Sequence, residues 1–216
     1  MKRGLRNEIA ALRIAAAIST SLVLLSIALF AGAARAGDAA ATVVFIRHGE
    51  KPPAGLGQLD CQGLNRALAL PAVIKRTFGA PDAIFAPDPS GKNDDGGIGF
   101  DYVRPLATIE PVAIAFGLPV NASIKFPQRR ALNAALEKAL SRGKAKLILV
   151  AWEHKVIAPA VKALLAAHGG NAAAVPDWSG SDFDSMYVVT IGTNGGEAKF
   201  AIQHEGLDGL PTTCPQ

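Results

Sequence analysis

Apolar and polar positions along this chain switch between two periods. The run Thr42 to Arg47 is β-branched and apolar, stops at Arg47, His48, Gly49 and Glu50, and passes into the turn-rich EKPPAGLGQ. A short apolar run closed by such residues predicts a buried strand. Asp60 then caps a helix to about Phe78, with a kink at Pro71 and a stop at Gly79. A second short strand, Ala83 to Ala86, precedes PDPSGKNDDGGIGFD, whose Gly, Pro and Asp content predicts a surface loop.

The pattern then repeats. Arg104-Pro105 opens a helix to about Phe116, because proline is favoured at the first helical position, and Arg104 thereby falls at a helix N-terminus, where anions bind. Leu132, Leu136 and Leu140 share one face of a helix from Gln128 to Ser141, and the apolar strand Leu147 to Ala151 follows. That strand ends in Trp152, Glu153 and His154, before a helix with Pro159 in its first turn and Gly169 past its end. Met186 to Ile191 and Ala198 to His204 read as a hairpin turning at Asn194-Gly195. Alternating strands and helices predict an α/β fold with a mostly parallel central sheet and an antiparallel edge from the C-terminal β-hairpin.

The first 36 residues stand apart. Lys2, Arg3, Arg6 and Arg13 precede an apolar run from Ile14 to Ala34, and Ala34-Arg35-Ala36 has the A-x-A form of a cleavage site. An uncleaved anchor is the other reading, since the run approaches the roughly 20 residues that span a bilayer; its small residues and the placement of A-x-A favour cleavage. The expectation is a signal peptide over 1–36, a single domain over 37–216, and a periplasmic or secreted location. The leader holds five of the 22 basic residues and one of the 18 acidic ones, which leaves 17 of each. The basic pI of 9.2 thus belongs to the targeting segment, and no nucleic-acid partner is implied. Cys61 and Cys214 lack metal-ligand spacing; an oxidising compartment would allow either a disulfide or two distant thiols.

Open α/β sheets bind ligands beyond the carboxyl ends of their strands. Arg47, His48, Arg104 and His154 all fall at strand ends or a helix start that can converge on one such crevice. Guanidinium forks match phosphate oxygens, and a neutral imidazole nitrogen is a good nucleophile towards phosphorus. The segments VVFIRHGEK, LDCQGLNRALALP, VRPLATIEPVA and LILVAWEHKVI, in this order across about 40 to 165, resemble the histidine phosphatase superfamily, also called phosphoglycerate mutase-like. The resemblance implies a three-layer α/β/α fold and a metal-independent phosphatase with no cofactor. His48 would be the nucleophile that becomes phosphohistidine, with Arg47, Arg104 and His154 binding the phosphoryl group. The expected partner is a small phosphorylated substrate or an envelope phosphate ester, with the membrane touched only through an uncleaved leader. A phosphate-transferring mutase and a non-catalytic phosphate-binding or phosphoprotein-binding module on the same fold are the alternatives.

A leaving alcohol needs a proton, and here the chain departs from many members of that superfamily. Between Glu110 and Glu153 the only acidic residue is Glu137. Glu50, Glu110, Glu137 and Glu153 are therefore all candidates for the general acid. Lys155 after His154 argues against the phytase-like branch, which has a His-Asp pair there. Arg66 reads as a surface residue, Asp182 and Asp184 as turn residues, and His168 as a helix C-terminus. His204 carries no separate signal. SGKN is not a phosphate-binding P-loop, and no G-x-S-x-G, HxH or HExxH pattern is present.

Overall fold

The computed structural model describes residues 39–143, 145–192 and 196–215. The predicted leader with its cleavage pattern and the Asn194-Gly195 turn lie outside the described residues. In chain order the elements are β1 (Ala39–Arg47), α1 (Cys61–Thr77), β2 (Ala83–Pro87), β3 (Lys92–Asp95), β4 (Ile98–Asp101), α2 (Arg104–Phe116), β5 (Val120–Ile124), α3 (Arg129–Ser141), β6 (Leu147–Trp152), α4 (His154–Ala167), a single 3₁₀ turn (Ala172–Ala174), β7 (Ser185–Gly192) and β8 (Lys199–His204).

Six strands form one sheet in the order β5-β2-β6-β1-β7-β8. The first four run parallel, while β7 and β8 add an antiparallel edge. Side chains along a strand point alternately to opposite faces, and β1 shows why both faces must be covered. Val44 and Ile46 pack with Leu70 and Ile74 of α1 and Ile109 and Val112 of α2. Val43 and Phe45 pack with Leu132 and Leu136 of α3 and Val161 and Leu164 of α4. The result is the expected three-layer α/β/α arrangement.

Three local expectations change. Residues 92 to 101 form the β3–β4 hairpin instead of an irregular loop. Gly96 and Gly97 both take positive φ, 69° and 86°, as a two-residue hairpin turn requires; the flanking strands are polar and alternate too weakly to be seen in sequence. β5 follows Pro119 at the sheet edge with alternate positions half-buried, a pattern too short to stand out. Helix α4 starts earlier than expected: the Glu153 carbonyl accepts from Val156 N and Ile157 N, so His154 is its first residue and Pro159 lies in the second turn.

Cys61 and Cys214 form a disulfide that ties the C-terminal tail to the start of α1. Asn65 reinforces the tie, its Nδ2 donating to Pro211 O at 2.8 Å and Thr213 O at 2.9 Å.

Candidate active site

Parallel pairing sets Arg47 opposite Trp152, which brings His48 and the Glu153-His154 pair to one edge of the sheet. His48 is 2% exposed, and its backbone N donates to Trp152 O at 3.3 Å. Its Nδ1 lies 2.7 Å from Gly49 O. A carbonyl only accepts, so a neutral ring must carry its proton on Nδ1 and keep the Nε2 lone pair free. Burial pushes the imidazole from its ordinary 6.5 down to about 3; the Gly49 carbonyl opposes this in part, and Arg47, Arg104 and His154 add to it.

Arg47 is anchored by Nη1, which donates to Gly180 O at 2.7 Å and Asp182 O at 3.0 Å. Its guanidinium carbon stands 3.9 Å from the centre of the Phe183 ring, a cation–π contact. Arg104, the first residue of α2, donates from Nη1 to Asp95 Oδ2 at 2.7 Å and Gly55 O at 3.2 Å. Thr108, one turn further along α2, accepts from Gly49 N at 2.9 Å and donates to Arg104 O at 2.8 Å. One hydroxyl therefore couples the His48 loop to the helix that carries Arg104. His154 approaches from α4: a Cβ on Gly180 would sit 3.8 Å from His154 Nε2, so His154 and Arg47 flank the same piece of backbone.

Tyr102 is fully buried and meets the His48 ring edge to face, centroids 5.9 Å apart. Burial, assisted by the charge of Glu153, raises its pKa, so the hydroxyl stays a neutral donor. Among the described residues, Nε of Arg47, Nε of Arg104 and the Tyr102 hydroxyl are buried without a hydrogen-bond partner. Native proteins satisfy nearly all such groups, and exceptions point to a ligand or a function.

All four predicted residues, Arg47, His48, Arg104 and His154, are thus brought together. Of the four candidate acids only Glu153 accompanies them. Its Oε1 lies 2.8 Å from His154 Nδ1, outside the alignment of a hydrogen bond. Glu137 pairs with His168 at 3.1 Å, and Glu110 is exposed on α2. Glu50 is held by Arg66 at 2.7 Å.

Arg66 itself is a correction. It is 0% exposed, because a guanidinium can be buried when carboxylates surround it. Besides Glu50 it reaches Glu205 at 2.6 Å, Asp208 at 3.0 Å and Asp184 at 3.3 Å. Burial raises the Glu205 carboxyl to about 8; Arg66 opposes the rise, and the charges of Asp184 and Glu50 add to it. Asp182 keeps the turn role, accepting from Asp184 N and Ser185 N. Asp184 does more, since it also accepts from Leu207 N at 2.7 Å. The exposed His204 ring stands 3.6 Å from Asp184. Helix α1 comes so close to the Glu50 backbone that a Cβ on Gly63 would lie 2.8 Å from Glu50 N. The absence of that side chain seats Arg66 under the His48 loop.

No protein-family model matches the sequence, and no curated protein matches it either. Solved structures do. The protein histidine phosphatase SixA complexed with tungstate is 18% identical, with 76% of this chain and 97% of that one covered, at a TM-score of 0.50. A mutant phosphoserine phosphatase from Entamoeba histolytica in complex with phosphoserine is 12% identical, with 78% and 98% covered, at a TM-score of 0.51. At such identities the likeness is one of fold.

Proposed function

We propose that this chain, which has the fold of the histidine phosphatases, is an exported enzyme that hydrolyses phosphate monoesters through a phosphohistidine on His48. The observation that carries the reading is a histidine kept neutral by burial among two arginines and a second histidine. Such a ring has a free lone pair at Nε2 while its neighbours are positively charged or hydrogen-bond donors, the pairing that attack on a phosphate dianion needs.

His48 Nε2 attacks phosphorus and the P–O bond to the alcohol breaks. Arg47, Arg104, His154 and the Tyr102 hydroxyl hold the three equatorial oxygens, where the transition-state charge collects. Glu153 serves as the general acid and delivers a proton to the departing oxygen. Water then attacks the phosphohistidine, Glu153 takes the proton from that water, the P–N bond breaks, and inorganic phosphate and neutral His48 are restored.

The test is hydrolysis of 4-nitrophenyl phosphate by residues 37–216 and by His48→Ala. Turnover lost in the variant, with an acid-labile phosphoprotein trapped only in the wild type, supports the reading. Phosphate binding with no turnover of this activated ester would overturn it in favour of a binding module.

A further inference from the structure

The bonds that hold Arg104 also build a cavity. One nitrogen, Nη1, ties Gly55 in the 52–57 loop to Asp95 in the β3–β4 hairpin. Gly57 O accepts from Val103 N and Arg104 N, and Gly57 N donates to Asp95 Oδ2 at 3.0 Å. Between loop and hairpin lies a cavity of about 450 Å³ whose apolar lining is Pro53, Ala54, Leu56, Ile98 and Phe100, with Asp95 on its wall. That volume is within the range of small-molecule sites.

Two observations point to a ligand there. Leu56 has φ 55°, and among the described residues it is the only non-glycine in the left-handed region. A Cβ makes that conformation costly, and glycine, as at Gly55 and Gly57 on either side, would avoid the cost. Strain of this kind collects at functional sites. The second observation is exposure: Leu56 is 42% and Ile98 59% exposed. The loop thus spends backbone strain to hold an apolar side chain in the open, across from another on the hairpin.

We infer that this cavity receives the alcohol portion of the substrate and that the substrate is a phosphate monoester of a bulky apolar alcohol. The inference rests on the phosphatase reading above and names its substrate class. Asp95 connects the two sites physically: it is part of the cavity lining, and its carboxylate fixes the Arg104 fork. Lys51, also on the lining, sets its Nζ 3.9 Å from Asp95 Oδ1. That separation is too long for a hydrogen bond.

The test compares kcat/KM for 1-naphthyl phosphate and phenyl phosphate, whose leaving groups are similar in acidity but differ by one apolar ring. Burying that ring favours the naphthyl ester by about tenfold. The double variant Leu56→Gly/Ile98→Ser brings the ratio down towards one; Leu56→Gly also relieves the positive φ, so the loop keeps its path, and the melting temperature checks that the fold is kept. Ile114→Ser, which removes a 74% exposed side chain on α2, leaves the ratio as in the wild type. Equal kcat/KM for the two esters in the wild type, or a preference that survives the double variant, overturns the inference. If the wild type hydrolyses neither ester, the phosphatase reading fails by itself. The cavity is then judged by calorimetry with 1-naphthylphosphonate and methylphosphonate: an approximately tenfold preference lost in the double variant sustains it, and equal binding overturns it. Self-association abolished by the double variant, with the ester ratio unchanged, assigns the patch to a second copy and also overturns it.

Discussion

His48 donates from Nδ1 to the carbonyl of Gly49, its own neighbour in the chain, at 2.7 Å. The orientation of the ring is therefore set by the next residue in the chain, and Thr108 in turn holds that residue by accepting from Gly49 N. Because burial pushes the ring down to about 3, His48 stays neutral where an ordinary histidine is charged. At pH 5, nitrogen NMR of His48 is expected to show one protonated and one bare nitrogen. A doubly protonated ring at that pH would contradict the structure.

Glu153 tests the division of labour in the first chemical step. Glu153→Gln keeps the side-chain shape but cannot give up a proton as a carboxylic acid does. It is expected to cut kcat by about 10²- to 10⁴-fold for esters of aliphatic alcohols. For 4-nitrophenyl phosphate, whose leaving group departs without a proton, the loss should be under about tenfold. Equal losses on both ester types would remove Glu153 from the proton-transfer role.

Arg66 offers a test of stability. Arg66→Met leaves Glu50, Asp184, Glu205 and Asp208 without their shared cation. Removing one partner of a buried ion cluster costs about 3–5 kcal/mol, which urea denaturation at pH 7 would register as a large drop in midpoint. Surface residues rarely matter by more than about 0.5 kcal/mol, so a change that small would mean the cluster is not formed.

Glu205 gives the stability its pH dependence. The folded carboxyl lies at about 8 against an ordinary 4.5, so the folded state holds the proton more tightly. The associated stabilisation is complete below about 4.5 and is lost as pH rises towards 8. His48 acts in the opposite direction, but only below about 6.5, where the unfolded chain takes up its proton. Between pH 6.5 and 8.5 the wild type should therefore lose stability while Glu205→Gln, which still accepts from Arg66, does not. A parallel decline in both proteins would place the effect elsewhere.

The Cys61–Cys214 bridge closes a loop with a sequence separation of 153. Loops this long give a cross-link its largest entropic effect, and removing a native disulfide typically costs about 2–5 kcal/mol. Cys214→Ser is expected to lower the urea midpoint accordingly, with the greatest gain in amide exchange at residues 207 to 215 and at the start of α1. An unchanged midpoint would show that the Asn65 contacts alone hold the tail.

Much of the fold was legible because its signals are local. The apolar runs at β1 and β6, the Asp60 cap and Pro105 at the start of α2 each act within a few residues, and the order of elements followed. Arg47, His48, Arg104 and His154 were legible for the same reason, since each ends or begins such an element. Arg66 was not, because its burial depends on carboxylates up to 142 residues away, and helix periodicity carries no trace of them. Tyr102 and Asp95 were also missed: the first precedes a helix with no pattern of its own, and the second lies in a polar hairpin that reads as loop. Glu153 could be shortlisted in the sequence, but setting it apart takes the parallel register of β1 with β6 and the long-range partners that occupy Glu50 and Glu137.

The Arg66 cluster also bears on the order in which the protein folds. Three of its four carboxylates lie 118, 139 and 142 residues from Arg66 along the chain, and contacts of such long range form late because loop closure must precede them. The Arg66–Glu50 pair, 16 residues apart, can form without β8, yet Arg66 has its full set of partners only once Glu205 and Asp208, just past that strand, are in place. Folding intermediates without a docked β8 would therefore hold the Arg66–Glu50 pair beneath the His48 loop with the cation only partly matched.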